Sequence, residues 1–149
     1  MPILNCPIRS NAISEPNGLA LHLPERTITY ADLDSLVSER VIALKQQGID
    51  ANSPVAFCDR NSLTLLISLF ATIRIGTIFC PISHILPKEE IKQRLKQAGI
   101  AHLWHFDNVN IENINSLSFD NAQCQNKSDC KSNEAYDAIN QITIDGNRP

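Results

Sequence analysis

Residues Pro54 to Ile82, PVAFCDRNSLTLLISLFATIRIGTIFCPI, narrow the folds open to this chain more than any other stretch. Two short β-rich runs, Val55 to Cys58 and Thr77 to Ile82, flank one apolar run of helical length from Leu63 to Ile75. A proline suits the start of the first strand, and β-branched and aromatic residues fill the second. Ser62 is placed to cap the helix and Gly76 to end it. Apolar side chains occupy almost the whole helix circumference, which predicts burial on most sides. A strand, crossover helix and parallel strand close right-handed, and parallel sheets are covered on both faces. The expectation is an α/β layer with helices on both sides.

The segments around this unit extend it. A short helix from Ile8 to Ser14 is compatible with Pro7 and Pro16. Leu19, Leu21 and Leu23 alternate before a turn at Pro24-Glu25-Arg26, and Thr27-Ile28-Thr29 follows, predicting a hairpin with one buried face. Thr29 and Asp32 then form an approximate capping box for a helix whose stripe is Leu33, Leu36, Val37, Val41 and Leu44, ended by Gly48. Pro87, Glu89 and Glu90 start a further helix with Ile91, Leu95 and Ala98 as its stripe, Arg94 and Lys96 toward its far end, and Gly99 as its stop. Ile100 to Phe106 reads as the next strand. The repeated strand, helix, strand order predicts an open, mostly parallel sheet with helices on both faces plus an N-terminal β-hairpin, spanning residues 1–106.

Residues 107–149 read differently. They hold nine Asn, and Asn121 to Glu134 lacks apolar periodicity, which predicts a solvated, partly disordered segment. Ile139, Ile142 and Ile144 predict one last strand near 139–145, and a chain stopping just beyond it reads as cut rather than finished. Charge divides at the same point: three basic and seven acidic groups give this tail a net charge of −4 against a nearly neutral body. Neither part makes an electrostatic case for nucleic acid or an anionic membrane. The run Leu63 to Ile73 is far shorter than the ~18 residues of a membrane span, and no leader pattern opens the chain, so the expected location is cytoplasmic.

Five cysteines do not make a disulfide framework; Cys58 and Cys80 fall inside predicted strands as small buried side chains. Cys124 and Cys130 lack a zinc spacing, and His102 and His105, three apart on a strand, point to opposite faces, so no metal is expected. Trp104, between Leu103 and His105 and near Phe106, reads as a core residue. No phosphate-cradling glycine motif or nucleophile elbow occurs. The candidate site comes from topology: ligands collect at the carboxyl ends of parallel strands, and those ends lead into Asp59-Arg60-Asn61 and Ser83-His84. Arg60, Ser83 and His84 then form a polar rim of a substrate pocket, with His84 or Arg60 holding a carboxylate. The competing reading gives Asp59, Asn61 and Ser62 to loop solvation and helix capping.

Residues 19–99 resemble the N-terminal part of adenylate-forming acyl-CoA ligases. The resemblance runs through Thr29-Tyr30-Ala31-Asp32-Leu33, Gly48-Ile49, Ser53-Pro54-Val55-Ala56, Asn61-Ser62, Arg74-Ile75-Gly76-Thr77, Cys80-Pro81-Ile82 and Leu86-Pro87. Within that family it looks most like the o-succinylbenzoate-CoA ligases of menaquinone biosynthesis, and it departs from the family at Ser83-His84-Ile85, where an Asn followed by a basic or amide residue is commoner. The resemblance implies ATP-dependent attack of a carboxylate on the α-phosphate, then displacement of AMP by coenzyme A, with Mg²⁺ assisting. It also implies that the phosphate loop and catalytic lysine lie beyond residue 149. The chain alone is then expected to bind none of ATP, Mg²⁺ or coenzyme A and to be inactive. Its partners would be the remainder of the ligase large domain, a C-terminal domain and a small carboxylic acid, with self-association through uncovered surfaces. The alternative is a free-standing, non-catalytic α/β module binding a partner or small acid at the strand-end rim.

Overall fold

The computed structural model describes residues 6–119 except 25 and 61. The two runs around the apolar helix become β3 (Val55–Asp59) and β4 (Phe79–Ser83), paired in parallel register from Val55 opposite Phe79 to Asp59 opposite Ser83. Further along the chain, β5 (His102–His105) and β6 (Asn115–Ser116) complete a four-stranded parallel sheet of order β4-β3-β5-β6. Helices α1 (Pro7–Ser14), α2 (Tyr30–Gln46), α3 (Leu63–Ile75) and α4 (Lys88–Ala98) surround it. The hairpin of β1 (Leu19–His22) and β2 (Thr27–Thr29) is a separate antiparallel sheet. The expected α/β architecture with helices on both faces and an added hairpin is the one observed.

Period-two alternation along β3 sends its residues into two different cores. Val55 and Phe57 join Leu33, Val37 and Leu44 of α2 and Ile67 and Ala71 of α3. Ala56 and Cys58 join Ile91 and Leu95 of α4, with Ile82, Ile100, Leu103 and Ile111. Every residue of β3 is buried, as a central parallel strand requires. Cys58 is fully buried, whereas Cys80 on the neighbouring strand is only half-buried. Trp104 packs on the α2/α3 side and stacks on Phe119 with centroids 5.9 Å apart, so it is core packing.

The helix ends follow the expected chemistry. Ser62 Oγ accepts the Leu65 N–H at 3.0 Å and Thr29 Oγ1 accepts the Asp32 N–H at 3.2 Å. Gly76 and Gly99 close α3 and α4 at φ 84° and 68°, in the left-handed region that glycine enters without a Cβ penalty. Around Gly76 the second strand starts later than the sequence indicates. The Thr77 N–H bonds Thr72 O and its hydroxyl donates to Ser53 O at 2.8 Å, so Thr77 finishes the helix instead of joining the sheet.

Other expectations are corrected. Only Ile67, Ser68, Ala71 and Thr72 of α3 are buried, while Leu63, Leu65, Leu66, Leu69, Phe70, Ile73 and Ile75 are half-buried. The sheet and α2 cover one side of α3 and leave its flanks partly open. Leu19 is exposed because a register shift between Leu19 and Leu21 turns it away from the buried side of the hairpin. The ordered body also continues past Asp107: β6 pairs with β5, Ile111 enters the α4-side core, and Leu117 enters the α2-side core. Gln47 holds this stretch in place by accepting the Ser118 N–H and donating to Ser118 O, both at 2.8 Å. The loop read at Asn121 to Glu134 and the strand read near 139–145 lie outside the described residues.

Among the described residues strand β4 lies at one edge of the sheet, and it carries a proline at its middle. The Val55 N–H bonds Ile78 O. In a parallel ladder this parity turns the backbone N–H and C=O groups of Cys80 and Ile82 toward β3, and the backbone groups of Phe79, Pro81 and Ser83 outward. Pro81 therefore sits where the missing N–H breaks no bond of the sheet.

Phe57, fully buried, stacks on Phe79 with ring centroids 5.2 Å apart. Phe57→Ala is expected to cost about 3–5 kcal/mol in urea unfolding and Phe57→Leu about 1.5 kcal/mol or less. A loss below ~1 kcal/mol for the alanine variant would remove Phe57 from the centre of the core.

Candidate functional site

Parallel pairing places the carboxyl ends of β3, β4 and β5 along one edge. Asp59 lies opposite Ser83, and Cys58 lies opposite both Ile82 and His105. Arg60 and His84 are exposed immediately beyond these ends, and both stabilise the charge on Asp59. The structure thus brings Arg60, Ser83 and His84 to one edge of the sheet. It adds residues that the sequence reading did not place at this edge: His105, Phe106 and Asp107. The signal for them was topological, because β5 neighbours β3 and its end must emerge at the same edge.

Asp59 is the buried acid of this edge. Its Oδ1 accepts the Arg60 N–H at 2.7 Å and its Oδ2 accepts the Ser62 hydroxyl, which in turn caps α3. The capping reading of Asp59 and Ser62 is therefore realised in the geometry. Burial pushes the Asp59 carboxyl above its ordinary range, against the hydrogen bonds from Ser62 and Arg60 and the charges of Arg60 and His84. Burial, with the Asp59 charge, also pushes the Cys58 thiol up to about 11. That thiol donates to Ser83 O at 3.5 Å, so it is a packed donor and not a nucleophile at neutral pH.

His105 is the buried base. Its Nδ1 accepts the Asp107 N–H at 3.0 Å, and its ring stacks on Phe106 with centroids 4.7 Å apart. Burial holds the imidazole below its ordinary value, opposed by the charges of Asp107 and Asp59. Phe106 meets His84 edge-on at 6.4 Å and carries the aromatic contact across the rim. The edge combines an exposed guanidinium, two imidazoles, two carboxyl groups and a part-exposed ring, an arrangement able to hydrogen-bond and pair charge with a small polar ligand. His102 aligns with Val55 and His105 with Cys58, so the two imidazoles belong to opposite faces. Among the described residues no three His, Cys, Asp or Glu side chains are grouped to hold a metal ion. No described helix is long and apolar enough to cross a membrane.

A raised carboxyl favours the protonated fold. Its stabilising contribution is present at acid pH and is lost as pH rises from about 4 through the folded-state value. Asp59→Asn is expected to flatten that part of the stability profile measured by urea unfolding between pH 3.5 and 7, and an unchanged slope would overturn the assignment. Ser62→Ala, which removes the cap, is expected to cost about 1–2 kcal/mol.

Comparison with known proteins bears on the whole architecture. Over 81 residues the chain is 40% identical to an indoleacetate–CoA ligase of Aromatoleum aromaticum, covering 54% of this chain and 16% of that protein. The fold superposes on E. coli MenE with a bound m phenylether-linked analogue of OSB-AMS at TM-score 0.69 and 20% identity, covering 75% of this chain and 26% of that one. It superposes equally on the Klebsiella oxytoca NpsA N-terminal subdomain in complex with anthranilyl-AMSN, at TM-score 0.69 and 26% identity, over 80% of this chain and 31% of that one. The chain therefore spans less than a third of the length of each of these relatives. The AMP-binding enzyme family matches residues 8–145, which takes in the hairpin, the parallel sheet and the strand-end rim, and the chain belongs to that family.

Proposed function

We propose that these residues form the N-terminal portion of an ATP-dependent carboxylate–CoA ligase that makes an acyl adenylate and then the acyl-CoA. We place it with the o-succinylbenzoate-CoA ligases of menaquinone biosynthesis. The observation that carries the ligase reading is the 40% identity to an acid–CoA ligase across 81 residues, joined to the family match. The substrate reading draws on the Leu86-Pro87 step before α4.

ATP and Mg²⁺ would supply the leaving group and charge neutralisation for adenylation, and coenzyme A the accepting thiol. The described residues do not fit these groups: no metal-ligating cluster is present among them, and the turns after β3 and β4 contain no glycine-rich cradle. No step is assigned to them. Their part in this reading is architectural, with Arg60, Ser83 and His84 lining one rim of the acid pocket.

ATP–pyrophosphate exchange tests the proposal. A protein extended by the coding sequence beyond codon 149 is expected to exchange with a carboxylic acid from a panel including o-succinylbenzoate, indoleacetate and anthranilate. The 149-residue chain alone is expected to show no exchange. Exchange by the short chain, or a stop codon at position 150, overturns the proposal. In the extended enzyme, Arg60→Ala and His84→Ala are each expected to raise KM for the acid about tenfold with kcat little changed, the pattern of lost uniform binding. An unchanged KM for both removes the rim from the substrate pocket.

A further inference from the structure

We propose that His105 is a proton-operated latch on the turn that carries Phe106: the uncharged imidazole holds the turn closed, and protonation releases it. Three successive amides shape this turn. The Phe106 N–H bonds Cys58 O at 3.0 Å, ending the β3–β5 ladder, and the Asn108 N–H bonds His105 O at 3.0 Å. Between them the Asp107 N–H bonds His105 Nδ1 at 3.0 Å. Carbonyl acceptors are indifferent to pH in the physiological range. An imidazole nitrogen is not, because an imidazolium carries a hydrogen on both nitrogens and has no acceptor left. Protonation must therefore break the middle bond and set two N–H groups against each other.

Once that bond is gone the turn keeps the Phe106 and Asn108 amide bonds but loses the one between them, so the release is local to Asp107 and its neighbours. Asn108 sits at φ 52°, a left-handed conformation that is uncommon outside glycine. His105 is 8% exposed, so a charge there cannot be fully hydrated without movement. The surroundings do not supply a fixed counter-ion strong enough to offset this. From β3, the neutral Cys58 thiol shares its face and the Asp59 charge acts on it from the strand end; from its own turn, Asp107 does; α4 contributes Ile91 and Leu95 to the adjoining apolar core. The two acids favour protonation, and burial outweighs them. The uncharged, latched form therefore prevails at neutral pH, and the latch opens only at a pH lower than that at which an ordinary histidine takes up its proton.

The turn carries its effect to the rim through Phe106, which is 38% exposed and edge-on to His84. Release of the turn would move this ring relative to Arg60, Ser83 and His84. The latch rests on the geometry of the 105–108 turn and does not depend on which reaction the rim serves.

NMR of the 149-residue chain between pH 5 and 7.5 tests it directly. The His105 ring is expected to titrate below 6.5 and to hold its proton on Nε2 above that step. Across the same step, the protection of the Asp107 amide, corrected for intrinsic exchange, is expected to fall roughly tenfold or more while that of Leu103 does not. His105→Asn offers a side-chain oxygen that can accept the same N–H without titrating. In that variant the Asp107 protection is expected to be independent of pH. Titration of His105 at or above 6.5, Asp107 protection indifferent to it, or the same pH step in the asparagine variant would each overturn the latch. Should the variant not fold, the wild-type titration and exchange data alone decide the matter.

Discussion

The double burial of β3 is the constraint on which the rest of this molecule depends. A parallel strand with neighbours on both sides has satisfied its backbone, but its side chains leave two apolar faces that water must not reach. Val55 and Phe57 recruit α2 and α3 on one face, while Ala56 and Cys58 recruit α4 on the other. Neither set of helices could be removed without exposing half of the strand. The same alternation decides the chemistry at the strand end, since it puts the Asp59 carboxyl and the Cys58 thiol on opposite faces, each buried enough that it ionises only at a cost.

Between the helices, one guanidinium does much of the fastening. Arg74, near the end of α3, donates to Asp34 and, at 2.9 Å, to Ser38 of α2, and its Nε donates to Cys6 Sγ at 3.1 Å at the start of α1. Arg9 of α1 reaches the same Asp34 at 3.0 Å. Three helices thus share one planar fork, the geometry in which arginine outperforms lysine. A second arginine, Arg40, is buried; it lies 3.7 Å from the centre of the Phe119 ring and bonds Ser68 Oγ at 3.4 Å, tying the segment after β6 to α2 and α3. Cationic side chains here are structural pins as much as surface charge.

Much of this was legible in the chain. Ser62, Gly76, Pro87 and Gly99 mark helix ends through local chemistry that needs no tertiary context, and the strand, helix, strand order is enough to bring Arg60, Ser83 and His84 to one edge. What was not legible depends on partners distant in sequence. Asn115 and Ser116 have no strand-forming character and join the sheet only because β5 offers an open edge. Leu19 alternates correctly with Leu21 until the register shift turns it outward. The apolar circumference of α3 reads as complete burial, yet how much of it is covered depends on the neighbours available. The His105 to Asp107 contact is a side chain accepting from the backbone two residues on, which residue type alone does not announce.

The outward-facing Pro81 has a consequence for behaviour in concentrated solution. An approaching extended chain would find N–H donors on β4 only at Phe79 and Ser83, about 13 Å apart along the strand. Edge-to-edge templating depends on an unbroken row of donors and acceptors, and one imino acid at the middle of a five-residue strand interrupts it. The residue that costs the native ladder nothing therefore acts as a gatekeeper against amyloid-like stacking on an edge strand of the described sheet.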